Sequence, residues 1–102
     1  MAKLVVLYKT PKDVAAFDDY YAKTHIPIAK KIPGLQKYEV SRGPVATPAG
    51  ASDVHLIAVL SFDSFAALQS ALGSPEGQAA AGDLPNFASG GADLYVCDSA
   101  EV

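Results

Sequence analysis

Apolar positions change their period several times along this chain, and each change marks an element. Residues 3–9, KLVVLYK, form an apolar run framed by lysines. The run is too short for a typical helix and rich in Val and Leu, which predicts a strand buried on both faces. Thr10-Pro11-Lys12-Asp13 then reads as a helix start, with Thr10 as cap, Pro11 in the first helical position and Asp13 among free N–H groups. Val14, Phe17, Tyr21 and Ile28 follow at spacings of three, four and seven, with Asp18 and His25 close to the same face. Such a stripe predicts a helix packed on a core. Pro27 lacks a donor and biases Ile26 away from helix, so this helix is expected to end or bend near His25, before a short turn over residues 27–31.

Pro33-Gly34 stops the helical pattern, and alternation over residues 35–42 predicts a second strand with Tyr38, Val40 and Arg42 on one side. Residues 43–52, GPVATPAGAS, have no period and are expected to be a loop. In the third strand, residues 53–62, Val54, Leu56, Ala58, Leu60 and Phe62 make one apolar face, and His55, Ile57, Val59 and Ser61 a mixed one. Asp63 or Ser64 can cap the next helix, whose stripe is Phe65, Leu68 and Leu72 and whose end is Gly73. Ser74-Pro75-Glu76 opens a short alanine-rich helix that stops before Pro85; residues 86–91 read as a loop and residues 92–98 as the last strand.

The order strand, helix, strand, strand, helix, strand predicts a single α+β domain over residues 1–102: a ferredoxin-like βαββαβ fold with a four-stranded antiparallel sheet and the helices on one side. With one face covered, Val5, Leu7, Ile57 and Val59 on the other would form an apolar patch larger than monomers usually expose. The expectation is therefore a homodimer packed sheet to sheet.

Composition narrows the function classes. Eight basic against eleven acidic residues give a net charge of −3, and Arg42 is the only arginine, so nucleic-acid binding lacks its usual donors. Apolar runs fall well short of the roughly twenty residues that cross a bilayer, so no membrane partner is expected. No signal-peptide cleavage site follows the N-terminal run, and the default location is cytoplasmic. Cys97 is the single cysteine; it is expected as a small buried strand residue, and it permits no internal disulfide. Two histidines thirty residues apart with scattered carboxylates give no recognised metal spacing, and no glycine-rich phosphate loop follows a strand. Neither a metal nor a nucleotide cofactor is expected. Haem stays open, because one histidine suffices as axial ligand.

VLYKTP, FDDYYAKTHIPIAKKIPGLQKYEV, FDSFAALQSALGSPEGQAAAGDLPNFASGG and ADLYVCD together resemble the EthD family, named for ethyl tert-butyl ether degradation. The resemblance covers nearly the whole chain and is most specific over residues 21–34 and 74–91. It implies the dimeric α/β barrel, in agreement with the pattern argument. It leaves the reaction open, because related barrels include polyketide cyclases, cofactor-free monooxygenases, lactone isomerases and haem-handling proteins.

His25 is the first candidate for chemistry, since imidazole exchanges protons near neutral pH; it also matches the histidine of the family's H-x-P motif. The competing reading is a histidine that caps the Pro27 turn. Tyr21, one turn earlier, and Asp18 could complete a Tyr-His-Asp group on one helical face, or Tyr21 could be core. Tyr8, Tyr38 and His55 are expected to line the interior between two subunits, where the rings could hold a planar ligand. Arg42 is a candidate for a carboxylate or enolate, or a surface residue; Phe87 closes a pocket or plugs the domain edge. The function this supports is a cofactor-independent enzyme that acts on a small apolar or aromatic molecule through His25, with a binding or accessory protein and a haem protein as alternatives.

Overall fold

The computed structural model describes residues 1–102. Its main sheet contains β1 (Ala2–Lys9), β2 (Lys37–Val40), β5 (Val54–Phe62) and β6 (Ala92–Asp98) in the order β2-β5-β1-β6, and every neighbouring pair is antiparallel. This is the expected ferredoxin-like order. Between β2 and β5 the anticipated loop folds a small hairpin, β3 (Ala46–Thr47) with β4 (Gly50–Ala51). No helix is long and apolar enough to cross a membrane.

β1 alternates strictly between buried Ala2, Leu4, Val6 and Tyr8 and half-buried Lys3, Val5, Leu7 and Lys9. The first set faces the helices, because it stands opposite Phe62, Leu60, Ala58 and Leu56 of β5. Together with Phe17, Tyr21, Leu68, Ala71 and Phe87 these side chains form one apolar cluster between sheet and helices. The molecule measures 34 × 34 × 17 Å, a thickness that fits one sheet and a single layer of helices. On the other face Val5, Leu7, Ile57 and Val59 are half-buried only by their neighbours, and Tyr95, opposite Val5, is 57% exposed. Cys97 lies on this uncovered face opposite Lys3 and is exposed, not buried as expected.

The first helical segment departs most from the sequence reading. Asp13, not Thr10, caps α1 (Val14–Tyr20), accepting from the Ala16 N–H at 3.0 Å. Thr10 is held at the sheet end instead, because its N–H and its hydroxyl both donate to the Asp53 carbonyl. Pro27 does not end the helix. The chain passes through a π turn (Tyr21–His25) into α2 (Ile26–Ala29), and a π turn relieves the ladder at the point where a proline would clash with it. The buried stripe is Phe17, Tyr21, His25 and Ala29, four residues apart each time. That repeat is longer than the 3.6 residues of an α-helix, so a straight α-helix would carry it off the sheet; the wider turn keeps it on one face. Val14, expected in the stripe, is exposed.

α3 (Phe65–Gly73) and α4 (Pro75–Asp83) begin where their serines predict. Ser64 accepts from the Ala67 N–H and Ser74 from the Gly77 N–H, each at 3.0 Å. A β-carbon on Gly77 would stand 2.1 Å from the Ala71 carbonyl oxygen, so glycine is what lets α4 fold back against the end of α3. A 3-10 turn (Leu84–Asn86) follows.

Candidate active site

The π turn delivers His25 to the core side of its helix, where the ring is buried and packed against Phe87 at 4.7 Å and Tyr21 at 5.2 Å between centroids. From the C-terminal end of α4, Asp83 brings Oδ2 to within 2.9 Å of His25 Nδ1, and both side chains are only 6% exposed. The other carboxylate oxygen, Oδ1, accepts from the Tyr20 hydroxyl at 2.6 Å and from Asn86 Nδ2 at 3.0 Å. Burial works to raise the Asp83 pKa, but the hydrogen bonds from Tyr20, Asn86 and His25 outweigh it and hold the carboxyl below the usual carboxylate range. An ionised carboxylate can only accept, so Nδ1 of His25 carries the proton and donates it. In the neutral ring that leaves Nε2 with a free lone pair. Nε2 makes no hydrogen bond within the protein and is not among sealed, unpartnered atoms, so it reaches accessible space.

His25 also lines a cavity between helices and sheet. Its volume is about 50 Å³, and it is lined by His25 together with Tyr8, Tyr21, Tyr38, Leu60 and Ile32, among others. Several small side chains leave the room: Ala29, Ala58, Gly77, Ala80 and Ala81 all line it. No lysine, arginine, aspartate or glutamate does. The Tyr21 and Tyr38 hydroxyls share a hydrogen bond at 2.6 Å, and the Tyr8 ring lies edge-on to Tyr21 at 5.6 Å. Burial pushes the pKa of all three phenols up, so they stay protonated and can donate but not act as bases.

Four of the residues singled out in the sequence, His25, Tyr8, Tyr21 and Tyr38, thus meet at one cavity, but the cavity is inside the protomer. Tyr8 and Tyr38 face the helices, not the uncovered side of the sheet, because Tyr8 belongs to the buried set of β1 and Tyr38 stands opposite Leu60. His55 is also displaced from its expected face. The register slips between Tyr8 and Lys9, which pair with Leu56 and Val54, so His55 is the extra residue of a bulge and is re-aimed towards the helix. Its ring meets Phe17 edge-on at 5.0 Å and Nε2 lies 2.7 Å from Asp18 Oδ1. Asp18 therefore serves His55 and not His25, and neither lines the cavity. Arg42 is exposed and away from the cavity. Phe87 plugs the core behind His25, in contact with Tyr8, Phe17, Tyr20 and Tyr21.

The residue that sequence reasoning missed is Asp83, with its supports Tyr20 and Asn86. One signal was present: a carboxylate at the C-terminal end of an alanine-rich helix is opposed by the helix dipole and needs donors from elsewhere.

A family model described as the EthD domain matches residues 9–91. The chain belongs to the EthD family. An uncharacterized 11.0 kDa protein of the thcB-thcC intergenic region of Rhodococcus erythropolis is 34% identical over 102 residues, covering 100% of this chain and 98% of that protein. The crystal structure of an EthD family protein from Bacillus halodurans is similar at 37% identity with a TM-score of 0.89, over 98% of this chain and 99% of that one. At 16% identity and a TM-score of 0.69, SnoaB, a cofactor-independent oxygenase from Streptomyces nogalater, shares the fold over 99% of this chain and 94% of its own. A dimeric ferredoxin-like protein from Thermobifida fusca shares it at 12% identity and 0.67, over 94% and 88%. Within the EthD protein described here, the Asp83–His25 pair and the cavity tyrosines Tyr21 and Tyr38 fall inside the stretch that the family model spans, and Tyr8 lies just before it.

Proposed function

We propose that this EthD protein is a small cytoplasmic enzyme that needs no cofactor and acts on a small, largely apolar or aromatic molecule by proton transfer at His25, in an isomerisation, a cyclisation or an oxidation of the cofactor-free monooxygenase type. One observation carries the reading: a buried histidine whose Nδ1 is held by an ionised aspartate lines an apolar cavity, and its other nitrogen has no partner in the protein. Asp83 fixes the tautomer and stabilises the imidazolium that forms when Nε2 takes a proton, and the dry lining keeps water from competing for it. SnoaB lends the reading a precedent on the same fold, by analogy of fold only. The protein works as a homodimer, in which a second copy covers the apolar row of Val5, Val59 and Tyr95. Haem does not suit the site, because a space of about 50 Å³ beside His25 has no room for a porphyrin.

The test is His25→Gln, assayed against a panel of small aromatic ketones and phenols with products followed by NMR and mass spectrometry. Turnover is expected to fall roughly 100-fold or more, with dimer and ligand affinity retained. Unchanged turnover in an intact dimer removes His25 from the mechanism. A ligand bound by the wild type and released unaltered assigns the cavity to a binding or accessory protein.

A further inference from the structure

The three phenols beside His25 carry one more proton than they can use among themselves. Tyr21 and Tyr38 share one hydrogen bond, and the Tyr8 hydroxyl approaches that of Tyr21. A chain of three hydroxyls has at most two internal links, and each link consumes one O–H. The third proton is left on whichever hydroxyl donates to neither neighbour, and all three residues line the cavity. The cavity lining therefore has at least one unpaired donor among the phenols, together with His25, whose Nε2 has no partner in the protein, in an otherwise apolar wall with no charged side chain.

That pairing selects a ligand. It must bring an acceptor atom for the phenol and a removable proton for the imidazole, and it must be neutral, since no cation lines the cavity to meet an anion. Its size is also bounded. A water needs roughly 10–15 Å³ on this measure, so about 50 Å³ holds roughly three to five water-sized groups; without side-chain movement that corresponds to roughly four to six heavy atoms.

We infer that the cavity binds a small neutral carbonyl compound with a hydrogen on the adjacent carbon, the spare O–H of the Tyr8, Tyr21 and Tyr38 group donating to its oxygen while His25 Nε2 removes the α-proton. This inference rests on the role of His25 given under Proposed function and narrows its substrate. In the step, the C–H electron pair becomes the carbon–carbon π bond of the enolate and the carbonyl π pair moves onto oxygen, where the phenol O–H steadies it by a hydrogen bond. The proton resides on Nε2 of an imidazolium held by Asp83. Returned to the same carbon it gives exchange; delivered to the far end of a conjugated system it gives the double-bond isomer. No oxidant or reductant takes part.

Cyclopentanone tests the inference, with methylcyclopentane as the matched probe lacking the oxygen and butyrate as the anion. Binding is read by ligand-observed NMR and α-hydrogen exchange by deuterium incorporation in D2O. The ketone is expected to bind at least about tenfold more tightly than the hydrocarbon, butyrate not to bind, and the wild type to accelerate exchange above the buffer rate. His25→Gln should abolish exchange and keep ketone binding, whereas Tyr38→Phe should weaken both; Tyr8→Phe replaces it if that variant does not fold. Equal binding of ketone and hydrocarbon without exchange overturns the carbonyl assignment and leaves an apolar-ligand enzyme standing. Exchange that survives His25→Gln overturns the proton-transfer role itself, and binding of neither probe overturns the cavity as a site.

Discussion

At the scale of single residues the site depends on Asp83, whose carboxylate takes three hydrogen bonds in a nearly closed environment. Because those bonds hold its folded pKa below the usual value, the unfolded chain binds the proton more readily than the folded one between the two values. Stability then rises with pH across that interval, is complete above the ordinary carboxylate pKa near 4, and is lost as pH falls through the folded value. Asp83→Asn is expected to remove this part of the acid limb and to lower stability at neutral pH by about 2 kcal/mol, the scale of hydrogen bonds to a charged group. Urea titrations of both proteins from neutral pH to pH 3 check it; parallel curves would show that Asp83 is not held ionised. His25 was legible in the sequence because histidine is rare in this chain and chemically distinctive. Asp83 was not: it is one of eleven acidic residues and lies 58 positions from its partner, a pairing that only the folded topology creates.

At the scale of elements, legibility followed the strength of local signals. The strand of residues 92–98 was read to the residue and the short helix opened by Ser74-Pro75 was read closely, bracketed by Ser74-Pro75 and Pro85. The π turn was invisible, because the stripe was matched to a period of 3.6 and the proline to a break, whereas a local widening satisfies both. The bulge at His55 was invisible for a related reason: one extra residue reverses which face a side chain takes, and alternation alone does not reveal it. A π turn amounts to one residue inserted in an α-helix. Deleting the exposed Ala22 is therefore expected to convert the π turn to a regular α-helix with His25 seven positions after Phe17, within about 20° of the same face. Far-UV circular dichroism should show the helix retained, and ligand binding in the cavity is expected to be kept. Binding that is lost on the deletion would mean that the wider turn itself is needed to place His25.

At the scale of the whole molecule, the sheet has helices on one face only, and the sequence foretold the uncovered face. What it could not tell was which face holds the cavity, since the alternation shows two apolar sides without saying which meets the helices. The two sides carry separate tasks: one encloses His25 and the tyrosines, the other presents Val5 between Val59 and Tyr95. Val5→Glu places a charge in the middle of the surface that a second copy would bury, and an unpaired buried charge is costly. Sedimentation should show a monomer at concentrations where the wild type is a dimer, with the cavity intact. A wild type that is monomeric throughout would refute sheet-to-sheet pairing.

The alanines and the glycine around the cavity set the conditions under which this protein can be improved. Larger aliphatic side chains at Ala58 or Ala80 would fill the space and add buried contact, and changes that fill cavities commonly contribute about 0.5–2 kcal/mol. A selection that rewarded heat tolerance alone would therefore enrich such residues and close the site while strengthening the fold. Directed evolution of this scaffold needs a screen for ligand occupancy beside the screen for survival, because the two are opposed at the same few positions.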